Sequence, residues 1–177
     1  MLKIAFATIV SVAVLSAGSV QAGMGTKVSS RYDPVEVAGL ARSGLPTIIL
    51  GQAGQGVNET AVRDLLRPPS WLRSATFESA APNTPGARLV IIFNPSDPAA
   101  AKRDVCGDIA ALDLDEPGQR LVIRAAYCIG NEMVTRVTAA ERPIKGSDDP
   151  RFSKLMRRVV SQLFPRTARS QFDSPGI

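Results

Sequence analysis

The sequence predicts an α+β domain: an antiparallel sheet of about five or six strands with helices packed on it, and one disulfide across a hairpin. Three observations point there. Residues 47–50, 89–93, 120–129 and 133–139 are apolar or alternating runs of strand length, bounded by glycine, proline and acidic turn residues. Apolar residues at helical spacing follow good capping residues near positions 33, 58 and 149. The two cysteines, Cys106 and Cys128, stand equidistant from Pro117 in the turn cluster Asp115-Glu116-Pro117-Gly118-Gln119.

The first element is a targeting segment. Lys3 precedes an apolar run over residues 4–15, followed by small residues ending Val20-Gln21-Ala22, the layout of a secretory signal peptide cleaved after Ala22. A membrane span needs about twenty apolar residues, and Ser16, Gly18, Ser19 and Gln21 interrupt this run well short of that. No cysteine follows to accept a lipid, and no later stretch reaches spanning length. The expectation is a soluble, periplasmic or secreted chain with no transmembrane segment after processing.

Residues 23–33 read as a flexible lead-in, 34–165 as a single domain and 166–177 as a loose tail. Asp33-Pro34 starts a short helix ending near Gly44, with Val37, Leu40 and Ala41 on one side. A strand follows at 47–50. Asn58 caps a second helix carrying Ala61, Val62, Leu65 and Leu66, which Pro68-Pro69 stops and whose exit Trp71 anchors. A weak strand at 76–79 leads through the loop 81–86 to residues 89–93, whose unbroken apolar character fits a central strand covered on both faces.

An oxidising compartment favours pairing of Cys106 with Cys128. If residues 105–114 and 120–129 form a hairpin about Pro117, the cysteines face each other. The same register puts Val105, Ile109 and Ala111 with Leu121, Ile123, Ala125, Tyr127 and Ile129 on one apolar face, and Asp108 and Arg124 on the other. Closing this loop stabilises by roughly 3 kcal/mol on the chain-entropy argument. The spacing is not that of a C-x-x-C redox pair, so the bridge reads as a structural staple.

Gly130-Asn131-Glu132 then reverses the chain, and a three-residue loop sets Met133, Thr135, Val137 and Ala139 against the same apolar face. The last helix is the clearest. Asp148 or Asp149 caps it, Pro150 opens it, and Phe152, Leu155, Met156, Val159 and Leu163 form one stripe with Arg151, Lys154, Arg157 and Arg158 opposite.

The stretch Ala126-Tyr127-Cys128-Ile129-Gly130-Asn131, with the closing Asp149-Pro150-Arg151-Phe152 to Leu163-Phe164-Pro165, resembles small exported α+β proteins of Gram-negative bacteria that have no assigned function. The resemblance implies an exported α+β fold. It implies no activity and no site residue.

Chemistry-bearing motifs are largely excluded. Gly51-Gln52-Ala53-Gly54-Gln55-Gly56 lies between a strand and a helix, where phosphate loops occur, but Val57-Asn58 replaces the Lys-Ser/Thr of a P-loop. It reads as a strand-to-helix turn that can line a cleft. Asp113, Asp115 and Gly118 match the start of a calcium loop, yet Pro117 and Arg124 occupy ligand positions. Asn58-Glu59-Thr60 has the form of a glycosylation sequon, but Asn58 is used as a cap.

The chain has no histidine, which removes Ser-His-Asp and Cys-His catalysis and the commonest metal ligand. No serine is followed three residues later by lysine. An enzyme would have to use carboxylates, with Glu78, Asp104, Asp108, Glu132 and Glu141 as the candidates, and a glycan hydrolase is the alternative function on that ground. Otherwise no catalytic residue, metal or cofactor is expected.

The formal charge is +5, and it is uneven. Arg142, Lys145, Arg151, Lys154, Arg157, Arg158, Arg166 and Arg169 stand against Asp148 and Asp149 near the C-terminus. The basic face Arg151, Lys154, Arg157 and Arg158 is thus the candidate docking surface, for an acidic protein, anionic lipid head groups or acidic glycan. Nucleic acid is not expected outside the cytoplasm. The functional expectation is a non-catalytic binding or structural module of the cell envelope.

Overall fold

The computed structural model describes residues 23–167. The expected signal segment, residues 1–22, and residues 168–177 of the expected tail lie outside the described residues. Six strands form one sheet: β1 (Gly23–Val28), β2 (Leu45–Leu50), β3 (Phe77–Ser79), β4 (Ala87–Phe93), β5 (Leu121–Ile129) and β6 (Glu132–Glu141), in spatial order β1-β6-β5-β4-β2-β3. Four helices, α1 (Pro34–Leu40), α2 (Glu59–Leu65), α3 (Pro98–Asp104) and α4 (Pro150–Leu163), cover it.

The sheet is mixed, which corrects the expected antiparallel arrangement. β4, β5, β6 and β1 are antiparallel, but β2 runs parallel to both β3 and β4. The cause lies in residues 51–76, which carry α2 as a crossover; a strand followed by a helical crossover returns in the same direction. Residues 23–28 are not a lead-in either. Their polar, glycine-containing sequence gives little strand signal, yet β1 pairs along its length with β6, and the Thr26 hydroxyl donates to Gln162 of α4.

All three Asp-Pro dipeptides start helices. Asp33, Asp97 and Asp149 each accept from the backbone N–H two residues on, with proline at the first helical position, and Asn58 caps α2 through the Ala61 N–H. The C-terminal end of α4, whose carbonyls would otherwise lack partners, is tied to the domain. Thr135, Trp71 and Tyr32 donate to the carbonyls of Leu163, Phe164 and Pro165.

One face of the sheet holds the main core. Leu89, Ile91, Phe93, Leu121, Ile123, Ala125, Tyr127, Val137 and Ala139 pack beneath Val37 of α1, Val62 of α2 and the apolar stripe of α4. The other face holds a smaller cluster, in which Ile48, Val90, Ile92 and Ala126 pack against Ala101, Val105 and Ile109 around the cysteines. Residues 89–93 are fully buried, as expected of a central strand with both faces covered.

Cys106 and Cys128 form the disulfide, with Cα atoms 5.7 Å apart. It does not cross a hairpin. Both edges of β5 are occupied, by β4 and β6, so residues 105–114 cannot pair there. They run from Val105, the C-cap of α3, through a 3-10 turn at Ile109–Ala111 instead. The bridge fastens this segment to the second face of the sheet, so Val105 and Ile109 share a face with the cysteines rather than with Tyr127.

The β5–β6 register has the expected pairs Ile123↔Ala139, Ala125↔Val137 and Tyr127↔Thr135. The turn is one residue tighter than expected: Ile129 pairs with Glu132 around Gly130-Asn131, with Gly130 at φ 59°. A bulge between Tyr127 and Cys128 absorbs the difference, which buries Val134 in the main core and turns Met133 to the disulfide side.

Candidate functional site

The apolar stripe of α4 is consumed by the core: Phe152, Met156, Val159, Val160 and Leu163 are buried. Arg151, Lys154, Arg157 and Arg158 are exposed, so the four residues singled out from the sequence share one surface. They are not equivalent. Arg151 donates from Nε and Nη2 to Asp149 at 3.1 and 2.6 Å, and from Nη2 to the Pro143 carbonyl at 3.1 Å. These bonds hold the Asp149 carboxyl down to about 2, and Asp149 in return pushes the Arg151 guanidinium above its ordinary value. Lys154, Arg157 and Arg158 form no ion pair among the described residues.

A second basic region lies at the carboxyl ends of β2 and β4, where parallel strands leave a crevice between their outgoing loops. Gly51, at φ 78°, lets the chain leave β2 against β4; a Cβ there would meet the Phe93 carbonyl oxygen at 2.4 Å. Gly54 passes the backbone of Ile144 as closely, at 2.6 Å. Asn94, buried at φ 49°, fixes the floor by donating to the Gln52 carbonyl (2.8 Å) and accepting from the Val122 N–H (2.9 Å).

Between these segments opens a cleft of about 360 Å³, lined among others by Gly54, Asn94, Gly118, Arg120 and Lys145. The 51–56 loop thus does line a cleft. Arg120 also lines a neighbouring depression of about 310 Å³ on the second face of the sheet, with Gly23, Val122, Arg124, Thr138 and Ala140. Among the described residues no acidic side chain lines either one.

Arg124 is half-buried, and its Nε is shielded from water without a hydrogen-bond partner. Burial, with Arg136 on the same face, pulls its guanidinium below the ordinary value. From the sequence Arg124 is a polar position on the disulfide side and a mismatch to a calcium loop, and Arg120 is the first residue of a strand. The available signal was an arginine in the middle of an otherwise apolar strand.

The structure does not gather the candidate carboxylates into a site. Glu78 is on edge strand β3, four strands from β6. Glu132 and Glu141 are the first and last residues of β6, roughly 30 Å apart at the rise of an extended strand. Glu132 is ion-paired with Arg31. Asp104 ends α3 and Asp108 precedes the 3-10 turn. Glu78, Asp108, Glu132 and Glu141 line neither depression.

Asp115 of the calcium-like stretch accepts from the Ser96 hydroxyl at 2.6 Å. Among the described residues, no group of three or more Cys, Asp or Glu is placed to hold a metal ion, and no helix is long and apolar enough to cross a membrane. Compared with known proteins, the chain matches no family model, no curated protein and no solved structure.

Proposed function

We propose that this chain is an exported, non-catalytic binding module of the bacterial cell envelope that docks an anionic partner on the solvent face of α4. The observation that carries this is the division of labour along the helix. Its apolar stripe is committed to the core, while Lys154, Arg157 and Arg158 project into solvent without counter-ions among the described residues. Such a face attracts acidic protein, anionic head groups or acidic glycan, and it has no apolar side to insert into a bilayer.

Export is supported by the signal-like segment and by a disulfide that persists in oxidising compartments.

The test is cross-linking of the tagged protein in living cells, comparing the wild type with Lys154→Glu, Arg157→Glu and Arg158→Glu combined. A captured partner that disappears in the variant supports docking through α4. A partner retained by the variant, or binding indifferent to salt through physiological ionic strength, refutes it.

A further inference from the structure

We propose that the two depressions sharing Arg120 form one groove that binds a linear acidic polysaccharide, with Lys145, Arg120 and Arg124 each meeting a carboxylate of the chain. This rests on the reading of the protein as an exported binding module, and it uses a surface other than α4.

The first argument is charge without compensation. Lys145 stands on the approach to α4, Arg120 at the junction of the depressions just before β5, and Arg124 within β5 on the side away from α4. Among the described residues no acidic side chain lines the groove and none of these three side chains forms an ion pair, while Lys145 also borders Asp148 and Asp149 on its side toward α4. Arg120 and Arg124, with Lys145 at one end, make a row of cations complementary to an extended anion.

The second argument is Arg124 itself. It pairs opposite Thr138, one diagonal step from Arg136, which is engaged elsewhere; like charges so placed on one sheet face oppose folding. Its Nε is also dehydrated without a bond. Nothing in the packing requires an arginine there, since Val122 and Ala140 beside it are short apolar residues. A position that costs stability and returns none to the fold is expected at a binding site.

The third argument is shape. The floor is the pleated surface of β5 and β6, with short side chains such as Val122, Thr138 and Ala140. No aromatic residue lines the groove, so successive bases have nothing to stack on. β5 and β6 beneath it are paired on both sides, and β1, which contributes Gly23, is the edge of the sheet beside them. A polyuronate presents carboxylates at regular intervals on a hydroxyl-rich chain. The groove offers cations for the former, and Gln55 and Thr138 for the latter.

The experiment titrates the full exported protein with hexagalacturonate, using cellohexaose as the uncharged control, and reads heat and the amide resonances of Gly54, Gly118 and Thr138. Hexagalacturonate is expected to bind and shift these resonances, and cellohexaose to do neither. Arg120→Ala and Arg124→Gln should each weaken binding about tenfold or more, Arg124→Lys should restore part of it, and the triple glutamate variant of α4 should bind as the wild type does.

Failure of hexagalacturonate to bind, equal binding of cellohexaose, or loss of binding only in the α4 variant overturns the proposal. The last outcome leaves docking through α4 standing. A cellular partner lost with α4 while hexagalacturonate fails to bind separates the two readings in the same way.

Discussion

Arg88 donates from Nη2 to the Cys106 carbonyl at 2.6 Å, while its β-sheet partner Cys128 holds the same Cys106 through the disulfide. Nη1 donates to the Gly130 carbonyl at 2.7 Å, and the side chain is buried with no ion pair among the described residues. Arginine and disulfide therefore fix one loop at one place. Arg88→Met removes a desolvated charge but strands two carbonyls, so we expect a net loss of about 2 kcal/mol. Combined with Cys106→Ala and Cys128→Ala the loss should be less than additive, because either change frees the same loop. Urea unfolding of the single and combined variants measures this; strict additivity would mean the two ties act independently.

The disulfide has a direct chemical check. Both thiols are expected to resist alkylation in the folded protein until it is reduced, after which two labels should appear by mass. Labelling before reduction would contradict the pairing.

Asp149 should make the start of α4 sensitive to acid. Its carboxyl titrates at about 2 in the folded chain against 3.8 ordinarily, chiefly because Arg151 donates to it. A depressed acid contributes stability that is complete above the unfolded value and is lost as pH falls from about 4 toward about 2. Asp149→Asn keeps a capping oxygen but no charge. The variant should melt below the wild type at pH 6, and the two should converge as pH approaches 2. A constant difference in Tm across that range would show that the ion pair contributes nothing.

Asn94 ties the outgoing end of β4 to both the 51–56 loop and β5. Asn94→Asp tolerates the same backbone conformation, but it sets a carboxylate against the Gln52 carbonyl that the amide now serves. We expect about 2 kcal/mol of destabilisation at neutral pH, partly recovered in acid as the carboxyl gains a proton to donate. Denaturant unfolding at pH 7 and pH 4 tests both statements. The cleft should loosen with it, seen as faster amide exchange at Val122, which donates to Asn94.

Local chemistry was legible in the sequence and lateral order was not. The Asp33-Pro34 and Asp149-Pro150 starts, the Asn58 cap and the buried run 89–93 follow from rules acting within a few residues. Asp97-Pro98, followed by three alanines, carries the same start signal and begins α3. The cysteine pairing was right, but its geometry was not: equal spacing about Pro117 cannot reveal that β4 occupies the edge a hairpin partner would need. The parallel setting of β2 depends likewise on which strand lies beside which.

The basic face of α4 was visible because helical period maps sequence onto surface directly. The groove was not, because Lys145, Arg120 and Arg124 come together only through the sheet order.

Arg124 supplies the sharpest test of whether that groove was selected for binding or is incidental. In a strand kept for stability alone, Arg124→Gln would remove the long side chain's packing and weaken the fold. If the arginine is retained for an anion, the unliganded protein carries its cost: a dehydrated Nε and a neighbouring Arg136 charge. Glutamine matches much of the aliphatic stem and has no charge to desolvate. The expected outcome is therefore a higher Tm for Arg124→Gln than for the wild type in low salt. The gain should shrink as salt screens the repulsion from Arg136. Hexagalacturonate should reverse the order by raising the wild-type Tm and leaving the variant's unchanged. A variant that melts lower with and without the glycan would assign Arg124 to the architecture of β5 and remove the central argument for the groove.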